Sequence, residues 1–207
     1  FRSSSTNFAS NCRLTNTVID NCNHPDESYR TSTSKSERWV MLYGKNNRVD
    51  HCYVTNKVNG GVLLMVNIGA EGSRVNNHVI DYNFFSNRPL FSPGNNAEII
   101  RLGDSSTSLE SCNTIVENNF FNACNGEVEI ISIKSCNNII RKNVFYESQG
   151  SVVCRHGNDN VIESNAFIGN NIKNTGGVRI INQGHKVYNN YFQDLQGTSS
   201  YSALCIM

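Results

Sequence analysis

Apolar residues along this chain come in short bursts separated by asparagine, glycine and serine, and no stretch of useful length has a helical spacing. Five bursts share one pattern, aliphatic-x-x-Asn-x-Phe: IDYNFF ending at Phe85, VENNFF at Phe121, IRKNVF at Phe145, IESNAF at Phe167 and VYNNYF at Phe192. VDHCYV, ending at Val54, puts Cys52 in the asparagine place, and LTNTVI, ending at Ile19, is a weaker copy. The last four full copies lie 24, 22 and 25 residues apart, and the earlier gaps are 35, 31 and 36. A second short apolar stretch follows each copy from Val54 onward: GGVLLMV, AEIIRLG, VEIISIK, SVVCRHG, GGVRIIN and SALCIM.

Two or three short strands in a unit of about two dozen residues predict a parallel β-helix, with each coil stacked about 4.8 Å above the last. The expected fold is all-β: a right-handed, single-stranded parallel β-helix of about seven coils over residues 1–207, with insertions in the longer coils. The phenylalanines then form an aromatic ladder inside the rod and the asparagines stack at a corner. There their amides bond each other and the turn backbone, leaving no buried polar group unpaired. This gives a use to 33 asparagines in 207 residues, none of which begins an N-x-S/T sequon. An antiparallel sandwich would show Asn-Gly turns between tight strand pairs, whereas Asn59-Gly60 and Asn125-Gly126 each precede a single strand. The chain starts at Phe1 and ends within the apolar run SALCIM, so it reads as a piece of a longer β-helix with open sheet edges at both ends.

The formal net charge of +1 argues against a general nucleic-acid or membrane-surface protein. No apolar run reaches the roughly 18 residues of a membrane-spanning helix. The 8 cysteines show neither C-x-x-C nor zinc-site spacing, which leaves disulfides and buried free thiols as equal alternatives. Cys112 and Cys136 each stand nine residues before their ladder phenylalanine and are expected to be stacked neighbours.

Charge enters where the second bursts stack. Their shared polar face carries Arg101, then Glu127, Glu129 and Lys134, then Arg155 and His156, then Arg179. Such a face is either a solvated salt-bridge ladder, worth about 0–1 kcal/mol per pair, or a polar groove for an elongated polymer. Glu127 and Glu129 point the same way on a strand and repel unless a cation lies between them. Asn95, in PGNNAEIIR of the preceding coil, adds an amide oxygen, and two carboxylates with an amide suit Ca²⁺ completed by water.

The run GEVEIISIKS (126–135), RHG with Arg155 twenty-one residues after Lys134, GGVRIIN and HKVYNNYF together resemble polysaccharide lyase family six. That family comprises alginate lyases and the dermatan-sulfate-cleaving chondroitinase B, all right-handed parallel β-helices. The likeness runs from WVMLYGKNNRVDHCYVTNK (39–57) to QDLQG ending at Gly197, about three-quarters of the chain. It implies calcium ligands at Asn95, Glu127 and Glu129, a catalytic base at Lys134, an arginine at the leaving-group oxygen at Arg155, and a substrate contact at His156.

The implied chemistry is coherent with these residue types. Cleavage of a uronate polymer by β-elimination needs its C6 carboxylate neutralised, a base for the C5 proton and a positive group at O4. Lys134 serves as base if a nearby metal and Arg155 lower its pKa. Arg179 leans the resemblance toward the alginate branch and can pair bidentately with a second uronate carboxylate. Lys57, Arg101, His185 and Tyr191 are further substrate-subsite candidates. For His185 and Tyr191 a turn or ladder role competes.

The expectation is therefore a calcium-assisted lyase for an anionic polysaccharide, alginate first, acting in secretion or the periplasm, without nucleic-acid or membrane partners. The alternatives are a dermatan sulfate or chondroitin lyase, and a non-catalytic glycan-binding β-helix.

Overall fold

The computed structural model describes residues 7–207. Its strands form three parallel sheets of seven strands each, and every coil contributes one strand to each sheet. The first sheet begins with Arg13–Thr15 and ends with Lys186–Tyr188. The second runs from Val18–Asp20 to Tyr191–Gln193, and the third from Val40–Leu42 to Leu204–Ile206. This is the parallel β-helix expected from the repeats.

Most strands of the first two sheets are three residues long, so only the middle residue faces inward. The middle row of the first sheet is Leu14, Val49, Ile80, Val116, Ile140, Ile162 and Val187. In the second sheet that row contains the expected aromatic ladder: Phe85, Phe121, Phe145, Phe167 and Phe192 stack at successive centroid distances of 5.1, 4.7, 4.7 and 5.0 Å.

The corner asparagines also form a ladder. The Asn119 side-chain oxygen accepts from the Asn83 backbone N–H at 2.9 Å and its amide at 3.0 Å, and the same exchange passes through Asn143 and Asn165 to Asn190. A second ladder, missed in the sequence, stands five residues upstream at the other end of the first sheet. It passes through Asn47, His78, Asn76, Thr114, Asn138, Asn160 and His185, with Asn47 N–H donating to His78 Nδ1, Asn76 Oδ1 accepting from both the His78 N–H and the Thr114 hydroxyl, and Asn160 N–H donating to His185 Nδ1.

The five-residue step has a local cause. Left-handed residues recur at that interval, as at Asn46, His51 and Asn56, Asn77, Tyr82 and Asn87, or Asn137, Lys142 and Glu147. Each bends the chain before the next strand, and asparagine tolerates the conformation better than most residues. The position after each bend points into a corner. Coil by coil the corners hold Asn47, Cys52 and Lys57, then His78, Asn83 and Arg88, then Thr114, Asn119 and Cys124.

All eight cysteines are free. Cys112 N–H donates to Cys136 O at 3.0 Å, so the two are stacked neighbours, although the strand bridge pairs Ser111 with Cys136. The Cys112 thiol lies instead 3.2 Å from both Asn76 Nδ2 and Thr114 Oγ1.

Candidate functional site

The third sheet has the longest strands: Glu129–Lys134, Gly150–His156 and Thr175–Ile180, beside Ile100–Gly103. Two register shifts shape its outer face. Ser151 pairs with Glu129 and Val152 with Ile131, so Ile130 is an extra residue. This lets Ile130 and Ile131 both join the core while Glu129 faces the cleft. Farther along, Cys154 pairs with Ile133 and His156 with Lys134, leaving Arg155 as the extra residue in a bulge. Bulges re-aim side chains, and the Arg155 side chain is 45% exposed.

A cleft of about 550 Å³ lies over this face. Asn95, Glu98, Glu127 and Glu129 line it together with Lys134, Arg155, His156 and Arg179. Seven of the sequence-predicted residues are thus brought together, from four coils. Glu129 Oε1 accepts from Arg179 Nη2 at 2.7 Å and lies 3.5 Å from Arg155 Nε. Glu127 Oε1 accepts from the Ala97 N–H at 2.8 Å. Lys134 has no ion-pair partner among the described residues. His156 is held below its usual pKa by burial and by the Arg155 and Lys134 cations, against the pull of Glu129, so its imidazole is neutral at physiological pH.

Glu98 went unnoticed in the sequence. It is 2% exposed, its Oε1 lies 3.4 Å from Arg101 Nη1, and its Oε2 is buried without a partner. Burial, Glu98 and Glu129 together push the Glu127 carboxyl up to about 8, opposed by the Ala97 N–H. Its only signal in the sequence was position, three residues after Asn95 on the same insertion.

The remaining sequence-predicted subsites are corrected by placement. Lys57, expected to touch substrate, is fully buried in a corner of the rod. Its ammonium bonds Asn59 O and Gly60 O at 3.3 and 3.4 Å and lies 5.3 Å from the Trp39 ring. It stands five residues after Cys52, in a position the coil geometry turns inward. His185 is a rung of the second corner ladder, its Nε2 2.9 Å from Ile181 O. Tyr191 lies on the second sheet, away from the cleft, with its hydroxyl on Gln193. Arg101 is on the third sheet but does not line the cleft; it is 8% exposed and is occupied with Glu98 and the Met65 sulfur.

Among the described residues no three acidic, histidine or cysteine side chains close on one point as a ready-made metal cage. The donor set nevertheless fits a hard cation. Three acidic side chains line the cleft, one carries an orphaned buried oxygen, and the exposed Asn95 adds an amide.

A family model described as Chondroitinase B matches residues 1–207. Among solved structures, a mannuronic acid specific polysaccharide family 6 lyase from human gut microbiota aligns at 51% identity and a TM-score of 0.93, over 100% of this chain and 45% of that one. The PL6 family alginate lyase AlyGC aligns at 44% identity and 0.88, over 94% of this chain and 26% of its own. A PL6 alginate lyase in complex with a trisaccharide aligns at 31% and 0.81, over 88% and 39%. The chain therefore spans less than half the length of these solved structures. No curated protein matches it.

Proposed function

Given that the chain belongs to polysaccharide lyase family six, we propose that it carries the catalytic cleft of a lyase that cleaves a uronate polymer, alginate first, by β-elimination. The observation that carries this reading is the convergence of Asn95, Glu127 and Glu129 with Lys134, Arg155, His156 and Arg179 on one cleft.

Lys134 takes the C5 proton; it lines the cleft, and no carboxylate among the described residues pairs with its nitrogen. Arg155, lifted out by its bulge, faces the O4 leaving group and stabilises the charge that develops there. The neutral His156 beside them donates or accepts a hydrogen bond to sugar hydroxyls without adding charge. Arg179 is a planar donor fork partly engaged by Glu129, with Nε left unpartnered, and suits a second uronate carboxylate along the chain. Asn95, Glu127 and Glu129 would hold calcium, with the Glu98 carboxylate next to them. When bound, calcium would neutralise the C6 carboxylate and stabilise the charge left by proton loss.

No water is consumed in this reaction, so the paired acid and base of a hydrolase are not needed. The alginate preference is supported by the AlyGC and mannuronic-acid-specific structures among the similar chains and by Arg179 in the cleft. Secretion or the periplasm is the proposed place of action, where a polymer substrate is met.

The test follows ultraviolet absorbance of the unsaturated uronate product, from folded protein given alginate or dermatan sulfate, with and without a calcium chelator. Product from alginate, lost on chelation and restored by calcium, is the expected result. Product from dermatan sulfate alone would move the substrate to the sulfated class. Product from neither would leave a glycan-binding rod without catalysis.

A further inference from the structure

Arg88 is the bulkiest side chain that the fold buries completely among the described residues, and it touches no carboxylate. The hydrogen-bond partners of its guanidinium are all backbone oxygens. Nη1 donates to Lys57 O and Asn59 O, both at 2.7 Å, Nη2 to Gly61 O at 3.3 Å, and Nε to Ala97 O at 3.4 Å. The first three acceptors belong to one coil and the fourth to the insertion that carries Asn95 and Glu98.

Ala97 is the link to the cleft. Arg88 takes its carbonyl, and its N–H holds Glu127 at 2.8 Å. The base of the same insertion is tied down around Arg88: Asn125 N–H donates to Arg88 O at 2.7 Å and Phe91 N–H to Gly126 O at 2.9 Å. Gly126 is what allows these groups to approach. A Cβ there would stand 2.2 Å from Ala97 O and 3.0 Å from Arg88 Cγ.

We propose that Arg88 is a positioning residue for the carboxylate cluster. By fixing Ala97 it sets the insertion that presents Asn95 and Glu98, aims Glu127, and thereby raises the affinity of the cluster for a divalent cation. This role rests on the reading of the cluster as a calcium site. A guanidinium is required because its rigid planar fork reaches four carbonyls at once, which the point charge of a lysine cannot do. Burial lowers the Arg88 pKa to about 10, while Glu98 and Glu127 pull it back up, so the group stays charged at neutral pH.

The experiment is calorimetric titration with calcium chloride of the unaltered protein, Arg88→Lys, Arg88→Met and Gly126→Ala, each first shown to be folded by circular dichroism. Groups behind metal ligands typically contribute about 10–100-fold in affinity. The expected result is a loss of at least about tenfold in both Arg88 variants, lysine included although it keeps the charge.

Unchanged calcium affinity in Arg88→Lys with only a lowered melting temperature would overturn the proposal in favour of a purely structural arginine. Tighter binding in Arg88→Met with no change in Arg88→Lys would overturn it too, since Arg88 would then act by charge repulsion. No binding by the unaltered protein would remove the calcium reading and this role with it. Should neither Arg88 variant fold, Gly126→Ala displaces Ala97 and Arg88 by contact. A comparable loss supports the proposal, and wild-type affinity overturns it.

Discussion

On the first sheet Arg13, Arg48 and Arg141 reach Asp50, Asp81 and Glu117 at 2.5, 2.6 and 2.6 Å, with side chains 53, 40 and 32% exposed. On the third sheet Arg179 reaches Glu129 at 2.7 Å, but those side chains are only 10 and 8% exposed. The contact lengths are alike and the surroundings are not. Along the first sheet the arginines stay partly hydrated over carboxylates that are only 0, 3 and 19% exposed, and each of these carboxylates has a cation against it. In the cleft Glu129 is shared between Arg179 and Arg155, Lys134 has no carboxylate against it among the described residues, and Glu98 keeps an orphaned oxygen. Matched surface charge costs little and does little. Desolvated charge that is incompletely partnered leaves an electrostatic demand that a cation and an anionic substrate can meet together.

The widest separation between the two faces is expected in catalysis. Lys134→Ala should lower the rate of product formation about 10²–10⁴-fold, the usual contribution of a positioned base, while the melting temperature stays near that of the unaltered protein. Arg141→Met on the first sheet should leave the rate unchanged. Equal losses in the two variants would mean that the charged face of the third sheet has no special chemistry.

Stability should separate them next. Removing Arg179 leaves Glu129 desolvated with only the longer Arg155 contact, so Arg179→Met should cost about 3 kcal/mol in denaturant unfolding. Arg13→Met leaves the equally buried Asp50 with His51 at 2.7 Å, the Thr15 hydroxyl and the longer Arg48 contact, so it should cost less than Arg179→Met. Equal costs would show that the remaining partners do not distinguish the pairs.

A smaller, pH-dependent effect sharpens the comparison from inside the rod. Burial first, and Arg88 next, lower Lys57 to about 7. An unfolded lysine titrates near 10.4, so above about pH 7 the unfolded chain binds more protons and stability rises with pH, by up to about 1.4 kcal/mol per unit. The buried thiols Cys124 and Cys154, pushed up to about 12 by burial, work in the opposite sense once unfolded thiols ionise. The slope is therefore best read between about pH 7 and 8.5, below the ordinary thiol range. Glu127, raised to about 8, pulls the slope the other way over the lower part of this range, so the reading is the difference between two proteins: the slope should be more positive in the unaltered protein than in Lys57→Met. The same slope in both would show that Lys57 keeps its proton in the fold.

The sequence by itself determined the architecture. In a parallel solenoid, residues one coil apart stack in register, so a linear repeat becomes a row in space. Phe85 to Phe192 and Asn83 to Asn190 could be read from spacing alone for that reason. The membership of the cleft was legible nearly as well, because the motif of Glu129, Lys134, Arg155 and Arg179 is distinctive, although it takes the extra residues Ile130 and Arg155 to bring these side chains to one side. Tertiary structure alone decided which charges face water. Lys57 looked like any lysine near a polar face, yet the five-residue step between left-handed bends turned it into a corner. His185 became a ladder rung by the same geometry. Glu98 joined the cluster, and Arg88 came to stand behind it, because the length and path of the insertion at 89–97 set how that segment returns onto the sheet. That path is fixed by contacts between coils, such as Arg88 with Ala97 and Ala97 with Glu127, which no local pattern encodes.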